Sequence, residues 1–261
     1  MARCGDRWSG SAPTDMSRTS TPSDQNRVRR GPRIAIVAAM QREVAPLIRG
    51  WNVRTLEHSG REYRLFENGN AVLICGGIGA EAARRATEAV IQEGRPGRVI
   101  SVGFAGALDS TLRVADVFEP RTVINAADGA RAETGSGQGT LVTYAAVASR
   151  DQKERLGNAY GAAAVDMEAA AVAQGAQARG VEFAALKAIS DAADFSLPAT
   201  ERFVSGSGQF RTAKFALHVA VRPWLWGSTI ALARNSSKAS RALCAAILGY
   251  LERERVNLRQ G

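Results

Sequence analysis

At 261 residues, 45% hydrophobic and 23% charged, the chain has the size and composition of a soluble globular protein with one large domain or two small ones. Three distant cysteines (Cys4, Cys75, Cys244) form no CxxC pair, which argues against a disulfide framework and points to a reducing, cytoplasmic setting. Two histidines in unrelated contexts (His58, His218) argue against a His-based metal site. The net charge of +9 is concentrated at the ends, with +3 in residues 1–30 and +7 in 201–261, leaving −1 for 31–200. No aromatic residues interleave with the basic ones in a stacking pattern, so the charge reads as a solvated surface rather than a nucleic-acid face.

In chain order, residues 1–30 are rich in Ser, Thr, Pro, Asp and Arg and poor in large apolar residues. They are expected to form a disordered leader, without the apolar middle segment of a secretory signal. "RIAIVAAM" (33–40) reads as a buried strand. "AVLICGG" (71–77) reads as another, followed by a helix over 78–94 that ends at Gly94. "RVISVGFAG" (98–106) and "VADVFEP" (114–120) are expected strands. "DMEAAAVAQGAQARG" (166–180) is an expected helix, and "VEFAALKAISD" (181–191) a strand leading into an acidic loop. Strands alternating with helices predict an α/β domain with a largely parallel, buried sheet. Ligands of such sheets gather beyond the carboxyl ends of the strands, where Glu43, Gly76–Gly79, Gly103–Gly106 and Asp191 would converge. Residues 228–254 predict an amphipathic helix. The preceding "FALHVAVRPWLWG" (215–227), with His218, Arg222 and Pro223 inside, is a poor transmembrane span. Its Trp224 and Trp226 suit either packing or a membrane interface.

"GGIGAEA" (76–82), between a strand and a helix, is close to a dinucleotide fingerprint read as Gly77-x-Gly79-x-x-Ala82. The next strand ends in "SVGFAG" with no acid to hold a ribose, and there is no Walker lysine, so no organic cofactor is expected. Free N–H groups at the helix start can still meet a ligand.

Taken in order, these segments resemble the nucleoside phosphorylase/hydrolase family, and within it most closely the 5′-methylthioadenosine/S-adenosylhomocysteine nucleosidases. "IAIVAAMQREVAPL", "GGIGAEAA", "SVGFAGALDSTLRVADV", "AVDMEAAAVA" and "KAISDAAD" carry the likeness across residues 33–195. The resemblance implies a three-layer α/β/α sandwich over residues 31–255, with a central mixed, largely parallel sheet. It also implies a small nucleoside substrate, no metal or cofactor, and a homodimer. Glu43 falls where the family's Glu acts on the attacking water, Glu168 on its ribose-binding carboxylate, and Asp191 on the acid that protonates N7 of the departing purine. Met167, Met40, Gly79, Ser190, Phe104 and Val147 fall around the substrate, Val147 with Ala148 standing where a Phe-Ile clamp holds the base. Asp166 stands where the family has Glu and receives no chemical role.

Read without the family, Asp166 and Glu168 suit the positive end of a helix dipole, and Asp191 suits a turn cap. Phosphorylases of this fold bind phosphate with Arg and Ser near the Gly-x-x-Gly turn. Here those positions are Ser101 and Phe104, which favours water as acceptor. The tail "RPWLW…LARNSSKASRAL" looks more like the hopanoid-associated branch, which is thought to remove adenine from adenosylhopane. That likeness carries the alternative of a lipid-linked nucleoside and peripheral membrane contact. Futalosine hydrolase and purine nucleoside phosphorylase are further relatives. A catalytically idle binding protein on the same fold is the non-enzymatic alternative.

Overall fold

The computed structural model describes residues 33–195 and 226–260. The leader 1–30, segment 215–225 with Trp224, and the side chain of Trp226 lie outside the described residues. Alternation along β1 (Ile34–Ala38) sends Ala35 and Val37 to one face of a sheet and Ile34, Ile36 and Ala38 to the other, all buried. A strand apolar on both faces requires cover on both. β1 lies parallel between β4 (Ala71–Cys75) and β5 (Arg98–Ala107). β11 (Glu182–Asp191) runs parallel along β5 from Glu182 opposite Arg98 to Asp191 opposite Gly106.

Antiparallel pairs close the edges. On one side a hairpin of β2 (Asn52–His58) and β3 (Arg61–Asn68) pairs with β4. On the other, β10 (Ala164–Asp166) runs antiparallel to the end of β5 and parallel to β9 (Thr140–Thr143). β9 pairs in parallel with β7 (Thr122–Asn125), and β8 (Arg131–Glu133) runs antiparallel to β7 at the edge. The sheet is therefore mixed, with a parallel centre.

Two helical layers cover it. α2 (Ala80–Gly94) packs on Ala35, Val37, Val72 and Ile74, and α4 (Ala169–Gln177) packs beside it on β5 and β11. α1 (Gln41–Val44) and α5 (Trp226–Gln260) pack on the opposite face, where Leu243, Ile247 and Tyr250 meet Ile36, Leu73 and Ile100. α3 (Arg150–Tyr160) packs Leu156 with Val142 and Val165. Its N-terminus carries a reciprocal cap, Ser149 Oγ accepting from the Gln152 N–H while Gln152 Oε1 accepts from the Ser149 N–H. Among the described residues no helix is long and apolar enough to cross a membrane.

Two expected elements are corrected. The strand expected over 114–120 shrinks to β6 (Val117–Phe118), paired with β11. Asp116 Oδ2 accepts from the Arg113 N–H at 2.8 Å and Ala115 has φ +76°, so the chain turns before it can pair. The helix expected from Asp166 begins only at Ala169, because Ala164–Asp166 extends to pair with β9 and β5.

Candidate active site

A cavity of about 770 Å³ opens beyond the carboxyl ends of β1, β5, β10 and β11, a size typical of small-molecule sites. Of the residues singled out from the sequence, Met40, Glu43, Phe104 and Val147 line it, as do Met167, Glu168, Ser190 and Asp191. Gly79 reaches it indirectly, through a hydrogen bond to Glu168.

Glu43 sits on α1, directly after β1, and is 3% exposed. Its Oε2 accepts from the Met40 N–H at 3.1 Å. Burial pushes its carboxyl above the ordinary value, against the pull of that N–H and the charges of Lys187 and Arg42. Ser240 on α5 donates to the Glu43 carbonyl at 2.9 Å and so ties α1 to the long helix.

Asp191 ends β11 at an irregularity in its pairing with β5. In a regular strand, neighbouring side chains face opposite ways. The shift between Ile189 and Asp191 lets Ser190 and Asp191 both face the cavity. Ser190 Oγ donates to Asp191 Oδ1 at 2.6 Å. Lys153 Nζ, from α3, donates to Asp191 Oδ2 at 2.5 Å and to the carbonyls of Ala192 (2.7 Å) and Phe195 (3.4 Å). Beneath them lies Gly106 of β5, where a Cβ would fall 2.9 Å from Asp191 Oδ2 and 3.3 Å from Lys153 Cε. The two charged side chains occupy the space that only glycine leaves open.

The stretch 165–168 assigns its two acids opposite duties. Asp166 is buried. Its Oδ1 accepts from Thr143 Oγ1 at 2.6 Å, while its Oδ2 accepts from the Ala169 N–H and pairs with Lys187 Nζ, each at 2.8 Å. It thus caps α4 and neutralises a fully buried lysine. Both acids border the cavity, but Glu168 is only partly buried, and its Oε1 accepts from the Gly79 N–H at 2.8 Å. Gly79 has φ +94°, which favours glycine, and its N–H at the start of α2 is spent on a carboxylate. Burial and the neighbouring Asp166 charge push Glu168 up to about 8, although Lys187 and the Gly79 N–H oppose them.

Several features escaped sequence reading. Lys153 lies on a polar helix, where no local pattern marks it for burial, yet it is 2% exposed. Lys187, wholly buried in the apolar middle of β11, did carry a signal, since a charge placed there requires a partner. Ser101, one of the positions compared with a phosphate site, is 1% exposed and accepts from Lys187 Nζ at 3.0 Å. Two arginines, Arg42 and Arg241, line the cavity from α1 and α5, away from the β5 turn compared with a phosphate site. Leu232, Ala233, Ser236 and Ser237 of α5 add to its wall. Among the described residues, no group of three His, Cys, Asp or Glu side chains is arranged to hold a metal ion.

Comparison with known proteins gives consistent neighbours. The phosphorylase superfamily profile matches residues 33–151 and 138–219. The chain is similar to a 5′-methylthioadenosine/S-adenosylhomocysteine nucleosidase of Actinobacillus succinogenes, with 31% identity over 202 residues, 62% of this chain and 86% of that protein. A Psychromonas ingrahamii nucleosidase of the same description is 39% identical over 88 residues, 33% of this chain and 38% of the relative. Two solved Helicobacter pylori structures share the fold. One is a 5′-methylthioadenosine/S-adenosylhomocysteine nucleosidase complexed with a substituted pyrrolidinol (TM-score 0.65, 20% identity, 85% of this chain and 98% of the other). The other is a futalosine hydrolase (TM-score 0.64, 19% identity, 85% and 98%).

Proposed function

The chain belongs to the phosphorylase superfamily, and on that premise we propose that it hydrolyses the N-glycosidic bond of a 5′-modified adenosine, of the methylthioadenosine or S-adenosylhomocysteine type, to release adenine. The observation that carries this reading is the meeting of Glu43, Glu168 and Asp191 around one cavity, although 125 positions separate the first two in sequence and 23 the last two. Breaking the bond develops positive charge on the sugar and negative charge on the base. Asp191 delivers a proton to N7 of the purine, steadied by Ser190. Glu43 orients and deprotonates the attacking water. Such proton transfers each contribute roughly 10²–10⁴-fold. Glu168 accepts hydrogen bonds from the ribose 2′ and 3′ hydroxyls, with Met167 and Met40 against the sugar. Val147, flanked by Ala146 and Ala148, walls the base with hydrocarbon. Phe104 places a ring at the position where phosphorylases of this fold bind phosphate, which supports water as acceptor.

A second reading concerns the 5′ substituent. The apolar Leu232 and Ala233 of α5 extend the cavity wall, which favours a large apolar group such as the hopanoid of adenosylhopane. The same overall reading carries a homodimer, a cytoplasmic location and peripheral membrane contact through the basic C-terminal region. The test is to incubate the protein with methylthioadenosine, S-adenosylhomocysteine, adenosine or an adenosyl-lipid extract, with and without phosphate, and to quantify free adenine. Phosphate-independent release is expected. Strictly phosphate-dependent release would make the enzyme a phosphorylase, and no release from any substrate would leave an idle binding protein.

A further inference from the structure

Lys153 has no assigned part in that chemistry, yet it touches the residue on which the chemistry turns. Its Nζ meets three acceptors, Asp191 Oδ2 at 2.5 Å, the Ala192 carbonyl at 2.7 Å and the Phe195 carbonyl at 3.4 Å. An ammonium has three N–H donors and a neutral amine only two, so this surround fits the charged form. The other oxygen of Asp191 accepts from Ser190 Oγ at 2.6 Å. With a donor on each oxygen, Asp191 is held as a carboxylate, whereas the proposed reaction asks it to deliver a proton. The nearest proton is the one on Lys153.

Structural need does not account for the pair. α3 is capped by Ser149 and Gln152 and packed through Leu156, and a buried lysine–carboxylate pair is on average no more stabilising than well-packed hydrocarbon. Lys153 also lines the cavity. Among the described residues, the other ionisable ones lining it are Glu43 and Arg42 from α1, Asp166 and Glu168 from the β10–α4 junction, and Arg241 from α5. Lys187 is engaged with Asp166 and Ser101, and Asp194, just after β11, is exposed.

We propose that Lys153 is a positioning residue acting through Asp191: it fixes the carboxylate beside the leaving base and supplies the proton that Asp191 passes on. The inference rests on the nucleosidase reading above. In the step, the Nζ–H bond breaks as an O–H bond forms on Asp191 Oδ2. That proton moves to N7 of the purine as the C1′–N9 bond breaks and its electron pair passes into the base. Water adds its oxygen to C1′ and gives its proton to Glu43. Lys153 is left as an amine and Glu43 as an acid, and exchange with solvent restores both before the next turnover. Ser190 serves both states of Asp191, because its hydroxyl has a second acceptor in the Ala105 carbonyl at 3.3 Å.

The test compares kcat and KM for adenine release by the full-length wild type, Lys153→Met and Lys153→Arg, with melting curves to confirm folding and Lys153→Gln as the second neutral variant. Removing the lysine takes away the proton source and leaves the groups that bind the nucleoside in place. Lys153→Met should then lose about 10²–10³-fold in kcat near pH 7.5 with little change in KM. Lys153→Arg keeps the charge but cannot give up a proton, so it should not recover kcat. A loss that falls on KM as much as on kcat, or near-complete recovery in Lys153→Arg, would overturn the relay and leave Lys153 a packing residue. A wild type that releases no purine would sink the nucleosidase reading and the relay with it, an outcome distinct from failure of the variants alone.

Discussion

Lys187→Met isolates the role assigned to Asp166. Lys187 is 0% exposed and Asp166 4%, and the pair is joined at 2.8 Å with Ser101 as the lysine's other partner. Methionine fits the stem of the lysine but leaves the Asp166 carboxylate with only two neutral donors, Thr143 Oγ1 and the Ala169 N–H. Breaking a buried pair by removing one partner typically costs about 3–5 kcal/mol. At about 1.4 kcal/mol per factor of ten, the folding constant should fall by roughly 10²–10³ or more. For a domain of this size the melting temperature should drop by roughly 6–20 °C. Adding Asp166→Asn removes the stranded charge and keeps an oxygen for the Ala169 N–H, so the double variant should be more stable than Lys187→Met alone. Urea unfolding of the wild type, both single variants and the double variant would measure the coupling, expected at about 2 kcal/mol or more. A Lys187→Met cost below about 1 kcal/mol with an unchanged denaturant slope would refute the assignment of Asp166 to structure.

Glu168, raised from 4.5 to about 8, binds more protons folded than unfolded between those values, so the empty protein should lose stability as pH rises from about 4.5 to 8. The slope should be at most about 1.4 kcal/mol per pH unit, and Glu168→Gln should flatten it in melts at pH 5, 6.5 and 8. Gly106→Ala puts a methyl 2.9 Å from Asp191 Oδ2 and should cut kcat by about 10²-fold through displacement of the acid, with circular dichroism unchanged. Glu43→Gln should lower kcat by roughly 10²–10⁴-fold while adenine affinity, measured by calorimetry, holds.

The parallel centre of the sheet was legible because β1, β4, β5 and β11 are apolar on both faces and end at glycine or acidic turns. The edges were not. β2 alternates exposed with half-exposed residues, as in Val53, Arg54, Thr55 and Leu56, and β7–β9 are short pieces of three or four paired residues. The acids that converge on the cavity could be named because each follows a buried strand or lies in a recognisable block. Their electrostatic partners could not. Lys153 owes its burial to the docking of α3, which no local pattern encodes. The division of labour between Asp166 and Glu168 depends on where β10 stops and α4 begins. Three residues of extended chain, Ala164–Asp166, carry Asp166 into the sheet and leave Glu168 at the start of α4.

The central claim is that three carboxylates grip one nucleoside. A crystal structure with a non-hydrolysable 5′-thio-substituted adenosine analogue measures this directly. The account predicts the ribose hydroxyls on Glu168, N7 on Asp191 and an ordered water on Glu43, each within hydrogen-bond reach of about 2.6–3.2 Å. An analogue bound with its ribose away from Glu168, or its base on the far side of the cavity from Asp191, would contradict it.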